Sequence, residues 1–293
     1  MNYRAGGVNE MVMTTILLKL IEEKRYGISL DDAISKWFPT FPHSQQITLR
    51  MLGNSNSGYV DFLDIKEIVD AKDFYTKDWD PLVLAEAAVS QPILFEPGTQ
   101  YDYSHTNFSI LGDILEKITK KNLHQLVDEY ISKPLNLKNT QDSTSSQIPV
   151  PALHSYVTID GVFQDATNFS PTWGGTSGIM VSNLTDLGTW MNAFGNGKLL
   201  SPESYQELIK TIPSKNPSIR FALGFAVSNS WFFQNPGING YKSVAAYFKP
   251  KNISLVITTT DGITSNPDTH YAQLIFPKIV QILTPEYPVF TSK

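Results

Sequence analysis

The chain of 293 residues contains no cysteine. This absence excludes disulfide bonds, thiolate nucleophiles and cysteine-based metal sites. Long apolar runs are also missing: the most hydrophobic segment, residues 11–21, is too short to span a bilayer and is interrupted by Lys19. The first residues carry no basic stretch followed by an apolar one, so no signal peptide is predicted and the localisation stays open.

The sequence also lacks clusters of basic residues. The net charge is −5, and the 23 lysines and arginines are scattered along the chain. Nucleic acid is therefore not an expected partner, because phosphate binding needs a basic stripe. His124, His154 and His270 stand alone, without the spacing of metal ligands. We expect neither a metal site nor another cofactor.

The hydrophobic residues that are present, 41% of the chain, are sufficient for the core of one domain spanning residues 1–293. Apolar residues at helical spacing predict helices at 8–23, 81–90, 104–120, 123–131 and 269–283. Aromatic and β-branched residues predict strands at 221–227, 243–248 and 254–260. Helices come first and strands last. This order favours an α+β fold, with a mainly helical lobe at 8–215 and an antiparallel sheet with a final helix at 219–293.

Four segments resemble motifs of one known family, and they occur in its order. They are Tyr3-Arg4-Ala5-Gly6-Gly7-Val8, Asn56-Ser57-Gly58, Tyr103-Ser104-His105 and Gly237-Ile238-Asn239-Gly240. The family is the serine β-lactamase and penicillin-recognising protein superfamily, in its branch of class C β-lactamases, D-peptidases and esterases. The resemblance implies a β-lactamase/transpeptidase-like fold, in which a mainly helical lobe adjoins an antiparallel sheet with flanking helices.

The residues that carry the family's chemistry are largely replaced. The resemblance implies a serine nucleophile at a helix start, a lysine one turn later, a Tyr-x-Asn motif and a cation on a late strand. Here Gly7 stands at the serine position, Glu10 at the lysine position, His105 at the asparagine position and Ile238 at the strand cation, while Tyr103 is retained. No serine has a lysine three residues later, and free serine is a poor nucleophile without an adjacent base. We therefore predict a pseudoenzyme that acts by binding or assembly.

A second hypothesis is an active hydrolase of the esterase, amidase or peptidase type. Glu10, Tyr103 and His105 would then be its catalytic residues, forming a rewired acid–base site. If His105 pairs with Glu10, the carboxylate should raise the pKa of the imidazole. A simpler interpretation is that Glu10 only stabilises the first turn of its helix, with His105 as its hydrogen-bond partner.

The resemblance also suggests a ligand and its contacts. It implies a peptidoglycan-like molecule or a small acyl amide or ester. Ser57, Asn239 and Gly240 are the candidate ligand-binding residues, since they lie in motifs that border the cleft in the family.

The segment before Gly7 is short by the family's standard. Family members usually have a helix and two strands there, and the resemblance therefore implies that N-terminal elements of the sheet are missing. An unpaired sheet edge invites association. Three explanations stay open: a chain that begins further upstream, a rebuilt sheet, or a homo-oligomer in which another subunit covers the edge.

Overall fold

The computed structural model describes residues 1–71 and 73–291. The helices of this part are α1 (Val8–Glu22), α2 (Leu49–Gly53), α3 (Lys66–Val69), α4 (Pro81–Val89), α5 (His105–Thr119), α6 (Leu123–Val127), α7 (Lys133–Leu135), α8 (Gly175–Gly178), α9 (Leu184–Gly195), α10 (Pro202–Leu208) and α11 (Tyr271–Leu283). The strands are β1 (Tyr3–Arg4), β2 (Gln141–Asp142), β3 (Tyr156–Ile159), β4 (Val162–Asp165), β5 (Met180–Ser182), β6 (Ile212–Pro213), β7 (Arg220–Ala222), β8 (Phe225–Ser228), β9 (Trp231–Gln234), β10 (Gly237–Ile238), β11 (Tyr241–Phe248) and β12 (Ile253–Thr260). Helices and an antiparallel sheet together confirm the predicted α+β class.

Helix α1 forms the centre of the core. Its apolar side chains point in every direction, and Met11, Val12, Ile16 and Leu20 have no exposed surface. The helix contacts α5, α8 and α10. Burying one such side chain stabilises the fold by roughly 1.5–3 kcal/mol, so α1 is held firmly and its first turn is a fixed platform.

The large sheet is antiparallel, and its strands follow the order β6-β7-β8-β9-β11-β12, with β10 also paired to β11. One face packs against α11 through Trp231, Phe233 and Phe276. The other face joins the main core through Phe225 and Phe232, which pack against each other. Side chains alternate between the two faces of a strand, so β9 places Phe232 and Gln234 together on the side of α1.

One feature of the sheet differs from the prediction. The segment 221–227 was expected to be one strand, but it is a hairpin of β7 and β8 around Leu223 and Gly224. Strand β1 pairs with β5, outside the large sheet. Among the described residues no strand pairs with the outer edge of β12, as expected if N-terminal sheet elements are missing.

The division of the single domain into a mainly helical lobe at 8–215 and a sheet with a final helix at 219–293 stays a prediction. Strand β6 lies inside the first range, yet it pairs with β7 in the second. In the part of the chain that the structure describes, no helix combines the length and apolar character that crossing a membrane requires.

Candidate functional site

A cleft of about 490 Å³, here named the α1 cleft, opens where the first turn of α1 meets the sheet. The segment before α5 forms its second wall, and β7 to β10 with the loop at 214–216 form its third. Its lining residues include Gly7, Glu10, Tyr101, Asp102, Tyr103, His105, Phe108, Ser214, Lys215, Phe221, Gly224 and Gln234. The predicted catalytic residues Glu10, Tyr103 and His105 thus lie in one cleft.

Gly7 is the N-cap of α1 and offers no side chain to the cleft. Its φ of −59° is compatible with any residue, so backbone geometry does not demand glycine here. A Cβ atom at this position would lie 3.3 Å from Oε1 of Glu10 and 3.5 Å from Oε1 of Gln234. The helix start therefore carries no side chain where the resemblance implies a serine hydroxyl, and a Cβ atom there would also lie 3.6 Å from Cβ of Pro236.

Glu10 is buried behind this space, with 1% of its surface exposed. Its Oε1 accepts a hydrogen bond from the Tyr103 hydroxyl, and its Oε2 accepts one of 2.9 Å from Nε2 of Gln234. Burial raises the pKa of Glu10 to about 7, although the bond from Tyr103 works in the opposite direction. Burial and the neighbouring carboxylate raise the pKa of Tyr103. The phenol therefore keeps its proton and donates a hydrogen bond to Glu10.

His105 is paired with Asp61 rather than with Glu10. Nδ1 of His105 lies 2.8 Å from Oδ2 of Asp61, which also accepts a bond from the His105 backbone nitrogen. Burial lowers the pKa of His105, but the charge of Asp61 outweighs it and the pKa is raised. The direction of the shift agrees with the prediction, whereas the proposed hydrogen-bonding partner was wrong. Tyr103 stands edge-on to the imidazole, with ring centroids 4.9 Å apart.

The strand residue that contacts Glu10 is Gln234, whereas Ile238, predicted to stand at the position of the strand cation, does not line the α1 cleft. Nε2 of Gln234 donates to Glu10 and, at 2.7 Å, to the carbonyl oxygen of Gly224. Ile238 is 5% exposed and packs toward Gly174 and Gly178, away from Glu10. The sequence feature that could have identified Gln234 is its place as a polar residue at the end of the otherwise aromatic strand β9.

The β7–β8 turn can approach α1 because residue 224 is glycine. Its φ is +81°, and a Cβ atom there would lie 2.6 Å from the carbonyl oxygen of Glu10. A larger residue would push the turn away from the helix. Gly224 thus brings Gln234 and Glu10 within hydrogen-bonding distance.

The three predicted ligand-binding residues lie away from the cleft surface. Ser57 is fully buried, and its hydroxyl donates to Oδ1 of Asn107 at 2.5 Å. The Asn239 side chain is engaged by Trp173 Nε1 at 2.7 Å and by the carbonyl of Phe169 at 3.1 Å. Asn239 and Gly240 form the β10–β11 turn and border a separate cavity of about 250 Å³. None of the three faces Glu10.

The rim of the α1 cleft is closed by contacts between its walls. Nζ of Lys215 lies 3.2 Å from Oδ2 of Asp102, and the rings of Tyr101 and Phe221 stack with centroids 3.8 Å apart. Within residues 1–71 and 73–291, no group of three or more His, Asp or Glu side chains is placed to hold a metal ion. The chemistry available to the cleft is that of carboxyl groups, phenols, an imidazole, amides, an ammonium group and serine hydroxyls.

Comparison with known proteins gives the same fold. Protein flp of Staphylococcus aureus (strain MW2) is 25% identical over 288 residues, which cover 91% of this chain and 52% of that protein. The chain thus spans about half the length of that curated relative. A D-stereospecific amidohydrolase from Streptomyces sp. has a TM-score of 0.81 at 28% identity, covering 88% of this chain and 82% of that one. The D-amino acid amidase from Ochrobactrum anthropi SV3 complexed with L-phenylalanine amide has a TM-score of 0.82 at 21% identity, covering 97% and 83%.

The family model described as Beta-lactamase matches residues 11–276, which is most of the chain. The matched part includes the segment before α5 and strand β9, which carries Gln234. The β-lactamase/transpeptidase-like fold predicted from the sequence is confirmed by this match and by the solved structures. The chain belongs to the Beta-lactamase family, within the superfamily of serine β-lactamases and penicillin-binding-protein-like proteins.

Proposed function

We propose that this protein binds a small acyl amide or ester, such as a peptidoglycan-like fragment, in the α1 cleft without forming an acyl-enzyme. The observation that carries the proposal is the absence of a side chain at Gly7, the N-cap of α1, where acyl transfer would need a hydroxyl group. In a comparable hydrolase, loss of the nucleophile alone lowers turnover by about 10⁶-fold. The protein is a pseudoenzyme in this proposal.

The residues around Gly7 support the same conclusion. Glu10 replaces the base, and both of its oxygens already accept hydrogen bonds. Ser214, one of the serines that line the cleft, donates its hydroxyl to the backbone oxygens of Asn216 and Ile219. A hydroxyl is activated only by an adjacent base or a lowered pKa. Acylation of Ser214 is therefore not expected.

The similar structures point to the chemical class of the ligand. The Streptomyces protein is a D-stereospecific amidohydrolase, and it shares 28% of its residues with this chain. An amide of a D-amino acid is therefore the first ligand to try. The cleft volume of about 490 Å³ lies in the range typical of small-molecule sites.

The proposal is tested by incubating the protein with a fluorescent penicillin and with an activated fluorophosphonate, followed by intact-mass measurement. We expect no adduct with either reagent, together with reversible thermal stabilisation by D-amino acid amides or cell-wall fragments. A stoichiometric adduct would overturn the proposal. Its loss in Ser55→Ala or Ser214→Ala, the variants of two serines that line the cleft, would then identify the nucleophile.

A hydrolase that uses water is the second candidate, and one observation favours it. Glu10 lines the α1 cleft and its pKa is raised to about 7, which suits a general base at neutral pH. Glu10 would take a proton from a water molecule that attacks the acyl carbon, and would return it to the leaving alcohol. Hydrolysis of a nitrophenyl acyl ester that disappears in Glu10→Gln would support this candidate over the first.

Self-association also stays a prediction. The outer edge of β12 pairs with no strand among the described residues, and such edges tend to associate. Size-exclusion chromatography with light scattering measures the molecular mass directly. A monomer at micromolar concentration would contradict the prediction.

A further inference from the structure

Two acceptor oxygens converge on the space in front of Gly7. A Cβ atom at Gly7 would lie 3.3 Å from Oε1 of Glu10 and 3.5 Å from Oε1 of Gln234. The amide of Gln234 uses its nitrogen for Glu10 and for the carbonyl of Gly224, which leaves its oxygen as an acceptor. A carboxylate oxygen can accept a second hydrogen bond beside that from Tyr103. The space is therefore arranged for a hydrogen-bond donor.

The charged groups around the space differ in whether a group of opposite charge contacts them. Among the described residues that line the cleft, Lys215 lies against Asp102 and His105 lies against Asp61. Glu10 receives its two hydrogen bonds from neutral groups, the phenol of Tyr103 and the amide of Gln234. The ionised form of Glu10 thus has no cation in hydrogen-bonding contact, although His105 acts on it from a distance.

We infer that the space in front of Gly7 binds the primary ammonium group of a ligand. This inference rests on the proposed non-covalent binding in the α1 cleft and specifies the class of ligand. An ammonium group carries three N–H donors and a positive charge, which match the two oxygens and the unpaired carboxylate. Tyr101, Phe108 and Phe221 line the same cleft and provide an apolar surface for the rest of the molecule. A ligand carboxylate at this point would face Glu10 and be repelled.

The site should respond to pH in a defined direction. A bound ammonium favours the ionised form of Glu10, so affinity should rise by roughly tenfold between pH 6 and pH 8. Tyr103 and Tyr101 face Glu10 as neutral phenols, because burial raises the pKa of each. His105 lies near the site, and contact with Asp61 raises its pKa, which favours the charged imidazole. Its loss of a proton at higher pH would strengthen ammonium binding in the same direction.

Three matched compounds test the inference by isothermal titration calorimetry at pH 8. They are phenethylamine, its neutral N-acetyl derivative, and 3-phenylpropanoate, which carries a carboxylate in place of the amine. An aliphatic amine keeps its proton at this pH, as lysine does. We expect phenethylamine to bind at least about tenfold more tightly than the N-acetyl compound, the ratio expected for one hydrogen bond to a charged group, and 3-phenylpropanoate to bind most weakly.

Two variants remove the site in different ways. Glu10→Gln removes the charge with little change in volume, and Gly7→Ala places a methyl group in the space at a φ that alanine tolerates. Both should abolish the preference for the amine. Gly188→Ala is the matched control, since Gly188 lies in α9 and a Cβ atom there meets nothing within 4 Å. Far-ultraviolet circular dichroism and thermal midpoints establish that each variant is folded.

Equal affinity for phenethylamine and its N-acetyl derivative would overturn the ammonium site and leave non-covalent binding in the cleft intact. A preference for the amine that survives in both Glu10→Gln and Gly7→Ala would also overturn the ammonium site and leave non-covalent binding intact. Failure of all three compounds to bind at millimolar concentration would also overturn it. A covalent adduct with the fluorophosphonate, in contrast, would overturn the proposed function itself.

Discussion

His105 lies near two carboxyl groups, and it forms a hydrogen bond with one of them. Asp61 is at 2.8 Å and accepts from both the ring and the backbone of His105, whereas Glu10 acts only through its charge. Burial alone would lower the pKa of the imidazole. We therefore predict that Asp61→Asn brings the pKa of His105 below the ordinary 6.5, while Glu10→Gln lowers it less.

Titration of the His105 ring protons by NMR measures this difference directly. In the unmodified protein the midpoint should lie above 6.5, since Asp61 favours the charged imidazole. A larger fall in Glu10→Gln than in Asp61→Asn would show that Glu10 is the principal partner after all.

At the scale of elements, the α1 cleft depends on the close approach of the β7–β8 hairpin to α1. Gly224 has a φ of +81°, and its position leaves no room for a Cβ beside the carbonyl of Glu10. We predict that Gly224→Ala lowers the free energy of unfolding by about 1–3 kcal/mol, the usual cost of a side chain in a forbidden conformation. Urea denaturation at pH 7 measures the change.

Gly188→Ala supplies the comparison for this prediction. Gly188 lies within α9 with open space around it, so alanine should raise the free energy of unfolding by up to about 1 kcal/mol through helix propensity. Ligand binding should fall in Gly224→Ala, because Gln234 donates to the carbonyl of residue 224 and loses its position with the turn. A Gly224→Ala variant as stable as the unmodified protein would contradict the role assigned to the hairpin.

The elements that sequence predicted well are the long ones, with an extended apolar run in α1 and a periodic apolar pattern in α5. Helix α1 was expected at 8–23 and is Val8–Glu22, and α5 was expected at 104–120 and is His105–Thr119. The β7–β8 hairpin was missed, because a short run rich in aromatic residues gives no periodic mark for a turn at Leu223 and Gly224. Local pattern identifies long elements more readily than short reversals of direction.

The site was predicted in part for a related reason. Gly7, Glu10 and Tyr103 were found through motifs that stay contiguous in sequence. Asp61 was missed because 44 residues separate it from His105, and nothing local links the two. Gln234 was missed because 224 residues separate it from Glu10, and no local pattern links the two.

On the scale of the whole molecule, two buried carboxyl groups connect the first turn of α1 to different strands. Glu10 joins α1 to the sheet through Gln234, and Asp142 joins β2 to α1 by accepting a 3.1 Å bond from Asn9. Burial raises the pKa of each to about 7, from ordinary values of 4.5 and 3.8. Both groups therefore link the stability of the entire fold to pH.

The sign of this linkage follows from the raised pKa values. Between about pH 4 and pH 7 the folded protein keeps protons that the unfolded chain has lost, so the free energy of unfolding falls as the pH rises through this window. Glu10 contributes up to about 3 kcal/mol of this fall and Asp142 up to about 4 kcal/mol, because one pKa unit corresponds to about 1.4 kcal/mol. We predict a lower thermal midpoint at pH 8 than at pH 5.

Differential scanning calorimetry across this range tests the prediction with a double variant. Glu10→Gln together with Asp142→Asn removes both ionisations and should flatten the dependence of the midpoint on pH, since an amide cannot release a proton there. Asp268→Asn, which replaces an exposed carboxyl group, is the control for the change from a carboxyl group to an amide. A double variant that retains the full slope would place the responsible protons elsewhere, and His105, whose raised pKa acts in the same direction near neutrality, would be the first residue to replace.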